Sequence, residues 1–99
     1  LDSSSIVVSG SLTSSISGKT AEFNLEDNTN TNGSTSFNFS YQWYVNGVLM
    51  QDSSSKEFSH TFKYYGPKEV SCVIVYKSET EVYSATVKDT FTLTPSASV

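Results

Sequence analysis

One histidine, His60, and one cysteine, Cys72, join ten Asp and Glu as the groups in this 99-residue chain suited to acid, base, nucleophilic or metal chemistry. A hydrolase needs a nucleophile, a base and an orienting group within hydrogen-bond reach. His60 is the single imidazole available as a base, but it alternates with Phe58 and Phe62, and that period of two turns it toward a core or its rim as a hydrogen-bonded structural residue. One His and one Cys fall short of the clustered ligands of a four-coordinate zinc. Asp27, Asp52, Glu79 and Glu81 fall in loops or turns and could gather at one end of the fold. No Asp-x-Asp-x-Asp run, however, supplies the six to eight oxygens that calcium needs. An internal Lys-Asn isopeptide bond would require a buried Lys, for which only Lys19 and Lys88 qualify. The expectation is a protein that is not an enzyme and carries no catalytic residue, metal or cofactor. Cys72 has no partner for an intramolecular disulfide, so it is either a buried small hydrophobe or an intermolecular linker.

The elements that position these residues follow a period of two. Ala21, Phe23 and Leu25 alternate with polar neighbours, as do Phe37, Phe39, Tyr41, Trp43 and Val45. Asn46-Gly47 tolerates positive φ at both centres of a tight turn and sends the chain back through Val48-Leu49-Met50. Strands are expected near 5–12, 19–26, 37–45, 48–51, 56–62, 68–76 and 81–94, with no helix. The polar stretch from Asp27 to Ser36 reads as a mobile connector between two sheets. Trp43 on one alternating strand and Cys72, twenty-nine residues later, on another are what an immunoglobulin-type sandwich places at its centre. The fold class is therefore all-β, an immunoglobulin-like, Greek-key β-sandwich of about seven strands in one domain over 1–99, with Phe23, Trp43, Phe62 and Cys72 in its core. The chain reads as a segment of a longer protein.

Composition narrows the function classes. Six Lys and no Arg within a net charge of -4 remove the residue best suited to bidentate phosphate and base-edge contacts, so no nucleic acid is expected as partner. No apolar run approaches the ~20 residues that cross a bilayer, so no membrane insertion is expected. Twenty Ser and eleven Thr give the hydroxyl-rich character of β modules working outside the reducing cytosol. Asn32-Gly33-Ser34 and Asn38-Phe39-Ser40 fit the glycosylation sequon, which matters only in a eukaryotic host.

The run Phe58-Ser59-His60-Thr61-Phe62, then Gly66 and the strand Val70-Ser71-Cys72-Val73-Ile74, resembles the second half of bacterial Ig-like domains of the PKD superfamily. Tyr41-Gln42-Trp43-Tyr44-Val45-Asn46-Gly47 is more similar to the Ig-like repeats of the highly immunogenic outer capsid protein of T4-like bacteriophages. The resemblance covers about 39–94. It departs from antibody-type domains, with Phe23 at the place of the disulfide partner and Val70 at that of the corner Tyr. The resemblance implies a module displayed on a virion surface, in a head-decoration or tail-associated protein, with virion proteins or neighbouring domains as partners. It would bind a host-cell surface or glycan weakly and in many copies. Two other readings stay open: a structural spacer, and a PKD-like accessory module of a secreted bacterial enzyme or adhesin.

If Val70, Cys72 and Ile74 point inward, Val73 and Val75 point outward beside Tyr44, with Leu49 or Met50 near. Tyr44, Val73 and Val75 are thus the candidate partner contacts, although Val and Tyr also simply suit exposed strands. Tyr64 and Tyr65, before Gly66, form a second candidate.

Overall fold

The computed structural model describes residues 6–31 and 37–95. Alternation of apolar and polar side chains dictates the architecture. Ala21, Phe23 and Leu25 are buried while Glu22, Asn24 and Glu26 are exposed, which is the signature of a strand with one wet face. Seven strands result: β1 (Gly10–Ser17), β2 (Thr20–Asp27), β3 (Asn38–Val45), β4 (Val48–Ser53), β5 (Glu57–Thr61), β6 (Gly66–Lys77) and β7 (Val82–Leu93). They form a three-stranded sheet, in the order β1-β2-β5, and a four-stranded sheet, β4-β3-β6-β7. Every pairing is antiparallel. The two sheets pack as a β-sandwich, and no helix occurs among the described residues.

One cluster of buried side chains lies between the sheets. Trp43, Tyr41, Ile74, Val70 and Cys72 are its most enclosed members, and Phe23, Phe58 and Phe62 belong to it too. Trp43 and Cys72 face each other in the β3–β6 register. The Trp43 ring stacks on Phe58 at 5.3 Å between centroids and lies 6.3 Å from Phe23. Its indole N–H donates to the Ser55 carbonyl at 3.3 Å, so burial leaves the polar tip satisfied.

Tight turns set the registers. Asn46 and Gly47 have φ of 50° and 86°, the left-handed pair expected of this dipeptide, and they place Val45 opposite Val48. Between Trp43 and Tyr44 the register slips, leaving Met50 as an extra residue on β4. At Gly10 there is no room for a side chain. A Cβ there would sit 2.7 Å from the Glu26 carbonyl oxygen and 2.9 Å from Cδ1 of Ile74.

Two expectations change. The first strand is not near 5–12 but at Gly10–Ser17, because the turn through Gly18 pairs Ser17 with Thr20 and fixes everything upstream. The apolar Ile6-Val7-Val8 run precedes it, with Val7 bridging to Asn30. The stretch after Asp27 is also less free than a solvated connector. Asn28 N–H donates to Ser9 O, and Asn30 exchanges both backbone hydrogen bonds with Val7. Residues 32–36, with the Asn32-Gly33-Ser34 sequon, lie outside the described part.

Candidate functional site

The outward face of the four-stranded sheet carries Tyr44, Val73 and Val75, all half-buried. Register defines their surroundings. Tyr44 stands between Leu49 on β4 and Ser71 on β6, and Val73 between Gln42 on β3 and Thr86 on β7. Val75 stands between Ser40 and Ser84. Val73 is therefore the diagonal neighbour of Tyr44 and Val75 follows two residues further along β6, so the three form a line on one face, not a closed apolar cluster, and polar groups frame them. Gln42 reaches Asp52 at 3.5 Å, and Lys88 flanks Ser71. A ring edged by amide, hydroxyl, carboxylate and ammonium groups can stack on an apolar surface while hydrogen-bonding around it. Leu49 is 48% and Met50 46% exposed beside this face.

At one end of the sandwich, Asp27 closes a network that its assignment to a loop did not foresee. Its Oδ2 accepts hydrogen bonds from Tyr41 at 2.6 Å and Tyr76 at 2.7 Å, and Oδ1 accepts the Thr29 amide at 3.0 Å. Burial alone would raise this carboxyl. The hydrogen bonds from Thr29, Tyr41 and Tyr76 outweigh burial and hold it below its ordinary value. The same contacts act oppositely on the phenols: burial first, then the Asp27 carboxylate, raises both Tyr41 and Tyr76. Each donor and acceptor here has a partner, so the network locks the sheets together at that end. Its sequence signal was the Tyr at the inward position of two strands, adjacent in one sheet, whose hydroxyls needed a buried acceptor.

Above the network, β6 and β7 run beyond the shorter three-stranded sheet. Inward positions there lose their cover. Phe39, on the inward side of β3 by its period, is 48% exposed. It packs on Tyr41 and Tyr76 at 5.8 Å each, and Phe37 meets Tyr83 at 5.8 Å.

The remaining candidates resolve as follows. His60 is half-buried, its ring 6.2 Å from Phe58 and 4.6 Å from Phe62, which places it at the rim of the core. Cys72 is fully buried. Burial, and then the Asp27 charge, pushes its thiol up to about 12, so the intermolecular-linker reading fails for want of both access and thiolate. No group of three His, Cys, Asp or Glu side chains comes together among the described residues. Asp27 and Glu81 sit toward one end, while Asp52 pairs across to Gln42 on the sheet face. Lys88 is exposed and pairs with Glu69 at 3.8 Å, and Lys19 lies against Tyr65 at the surface; neither is the buried Lys of an isopeptide bond.

A concavity of about 890 Å³ lies elsewhere. It is an open groove beside the β4 and β5 edges, lined by Asn24, Gln51, Ser55, Glu57 and Phe58 among others. Nothing in the strand pattern marked it, because it arises where two edge strands from different sheets approach.

Fold and surface together define a small two-layer β-sandwich with a polar-framed aromatic patch on one sheet. Comparison with protein-family models, with curated proteins and with solved structures finds no match in any of the three.

Proposed function

We propose that this chain is a non-catalytic, immunoglobulin-like module displayed on a virion surface, where it attaches weakly and in many copies to host-surface saccharides. The observation that carries this reading is the outward face around Tyr44. A half-exposed ring and the Val73 and Val75 methyl groups offer an apolar platform for a sugar ring, while Gln42, Asp52, Ser71 and Lys88 offer hydrogen-bonding groups to its hydroxyls. The Ig-like assignment draws on the Trp43 and Cys72 pair and on the strand order, and the virion on the resemblance of the Tyr41–Gly47 segment. One such patch on a flat sheet binds feebly. Repetition on a symmetric particle multiplies it through effective concentration.

The test is Val73→Lys. An outward strand position tolerates a polar side chain, so stability should change by less than about 0.5 kcal/mol. A long cation between Gln42 and Thr86 covers the platform, so attachment of whole particles to host cells should fall at least tenfold. Unchanged attachment by the folded variant rejects the face, and moves binding to the groove at Gln51 and Glu57 or leaves a spacer.

The spacer reading has its own observation. β1 begins beside Asp27, at one end of the sandwich, and β7 finishes opposite Gly66, at the other. A chain that enters one end and leaves by the other separates its neighbours by the length of the module.

A further inference from the structure

The two ends of the sandwich carry opposite charge. Where β7 finishes, Lys19, Lys63 and Lys68 gather around the Lys63–Gly66 loop, with no acid in residues 17–20, 45–48, 61–68 or 91–95. Lys19 Nζ donates to the Lys63 carbonyl at 3.4 Å and lies 5.0 Å from the centroid of the Tyr65 ring. Lys68 Nζ donates to the Tyr65 carbonyl at 3.4 Å. Two ammonium groups are thus pinned on one loop, and neither meets a carboxylate among the described residues. Of the two acids next along the strands, Glu69 is already engaged with Lys88 and Asp89 lies opposite Val70. This is half of all the lysine in a chain of net charge -4. Tyr64 is 71% and Tyr65 43% exposed beside them.

The other end, about 36 Å away along twelve residues of β6, is acidic and also aromatic. Glu26, Asp27, Glu57, Glu79 and Glu81 outnumber Lys56 and Lys77 there. Phe39 is 48% exposed and Phe37 and Tyr83 half so. Within one molecule the two ends are held apart and cannot neutralise each other.

We propose that a second copy of this chain docks end to end, the acidic aromatic end at Phe39, Glu79 and Glu81 of one molecule seating on the basic end at Lys19, Lys63 and Lys68 of the next. Chain direction agrees with charge direction. β7 leaves at the basic end and β1 starts at the acidic end, so a following copy presents the complementary surface without turning over. The contact is heterologous and does not close on itself, which makes open chains of copies in place of a discrete dimer. It is also small. A cross-section of 20 × 17 Å is well under the ~800 Å² a side of a stable complex, so the association is weak and matters where copies are crowded or linked. The attraction is between exposed charges and is screened by salt.

Sedimentation equilibrium on the intact chain, from micromolar to millimolar, tests this. In low salt the weight-average mass should climb with concentration without a dimer plateau, and high salt should return it to monomer. Lys63→Glu and Glu79→Lys, exposed side chains without a hydrogen-bonding or ionic partner among the described residues, should each weaken association about tenfold. Mixing the two variants should restore it, because the unaltered end of each fits the unaltered end of the other. Far-UV circular dichroism and Trp43 fluorescence confirm that both variants are folded. A monomer at every concentration in low salt overturns the proposal. So does a discrete dimer, or association indifferent to both charge reversals.

Discussion

Asp27 shows how one side chain ties stability to pH. Its carboxyl is held below its unfolded value, so its contribution is fully present above about pH 4 and is lost as pH falls through the folded value. Tyr41 and Tyr76 are raised, so the unfolded chain ionises first. Their contribution is intact below about pH 10 and declines as pH rises past it. Urea unfolding across pH should therefore give a plateau with an acid and an alkaline limb. Tyr41→Phe with Tyr76→Phe should shrink the alkaline limb, with Tyr83, which is raised as well, keeping part of it. Asp27→Asn should shrink the acid limb and cost about 1–3 kcal/mol near neutrality, since one amide oxygen replaces a carboxylate serving three donors. An unchanged acid limb in Asp27→Asn would assign it to other carboxylates. Trp43 works through volume instead. It is 0% exposed, and Trp43→Ala should cost roughly 3–5 kcal/mol in denaturant unfolding. A loss under about 1 kcal/mol would contradict its packing against Phe58 and Phe23.

The strands explain what single residues cannot. Period-two alternation sends Phe39 and Trp43 to the same side of β3, yet one is 48% and the other 0% exposed, because β3, β6 and β7 outrun the sheet that covers them. The bulge at Trp43 and Tyr44 keeps the β4 edge from presenting a regular ladder, which discourages pairing with a foreign strand although Val48, Leu49 and Met50 are exposed. Gly10 governs how closely β1 approaches. Gly10→Ala should destabilise by about 1–3 kcal/mol, because the new methyl meets a backbone oxygen that cannot swing aside. A thermal melt that leaves the midpoint unmoved would show that β1 shifts freely.

Across the whole molecule, a single buried cluster joins both sheets, and pairings such as β2 with β5 and β3 with β6 link residues far apart in sequence. Neither sheet has an interior without the other. Unfolding should therefore be cooperative, with Trp43 fluorescence and far-UV circular dichroism tracing one coincident transition in denaturant. Two separated transitions would mean that one sheet persists alone. Refolding should fall in the millisecond-to-second range of non-local β topologies. Charge is arranged at the same scale, with basic Lys19, Lys63 and Lys68 at one end and acidic Glu79 and Glu81 at the other.

Local pattern was enough to place Phe23, Trp43, Phe62 and Cys72 in the core, because strand alternation is a property of neighbouring residues and needs no tertiary information. The Asn46-Gly47 turn was legible for the same reason: its φ values follow from two adjacent residues, an Asn that tolerates positive φ and a Gly that has no Cβ to forbid it. What surrounds an element was not legible. Whether an inward position is covered depends on the length of the opposite sheet, which left Phe39 exposed. Asp27 looked like a loop acid until β3 and β6 brought two tyrosine hydroxyls to it from 14 and 49 residues away. The first strand drifted because the apolar Ile6-Val7-Val8 run outweighed, in sequence, a Ser-rich edge strand that only the Gly18 turn locates. The groove at Gln51 and Glu57 and the opposed charge of the two ends belong to no single strand. They exist only once segments remote in the chain share a surface, since distance along a sequence says little about distance in space.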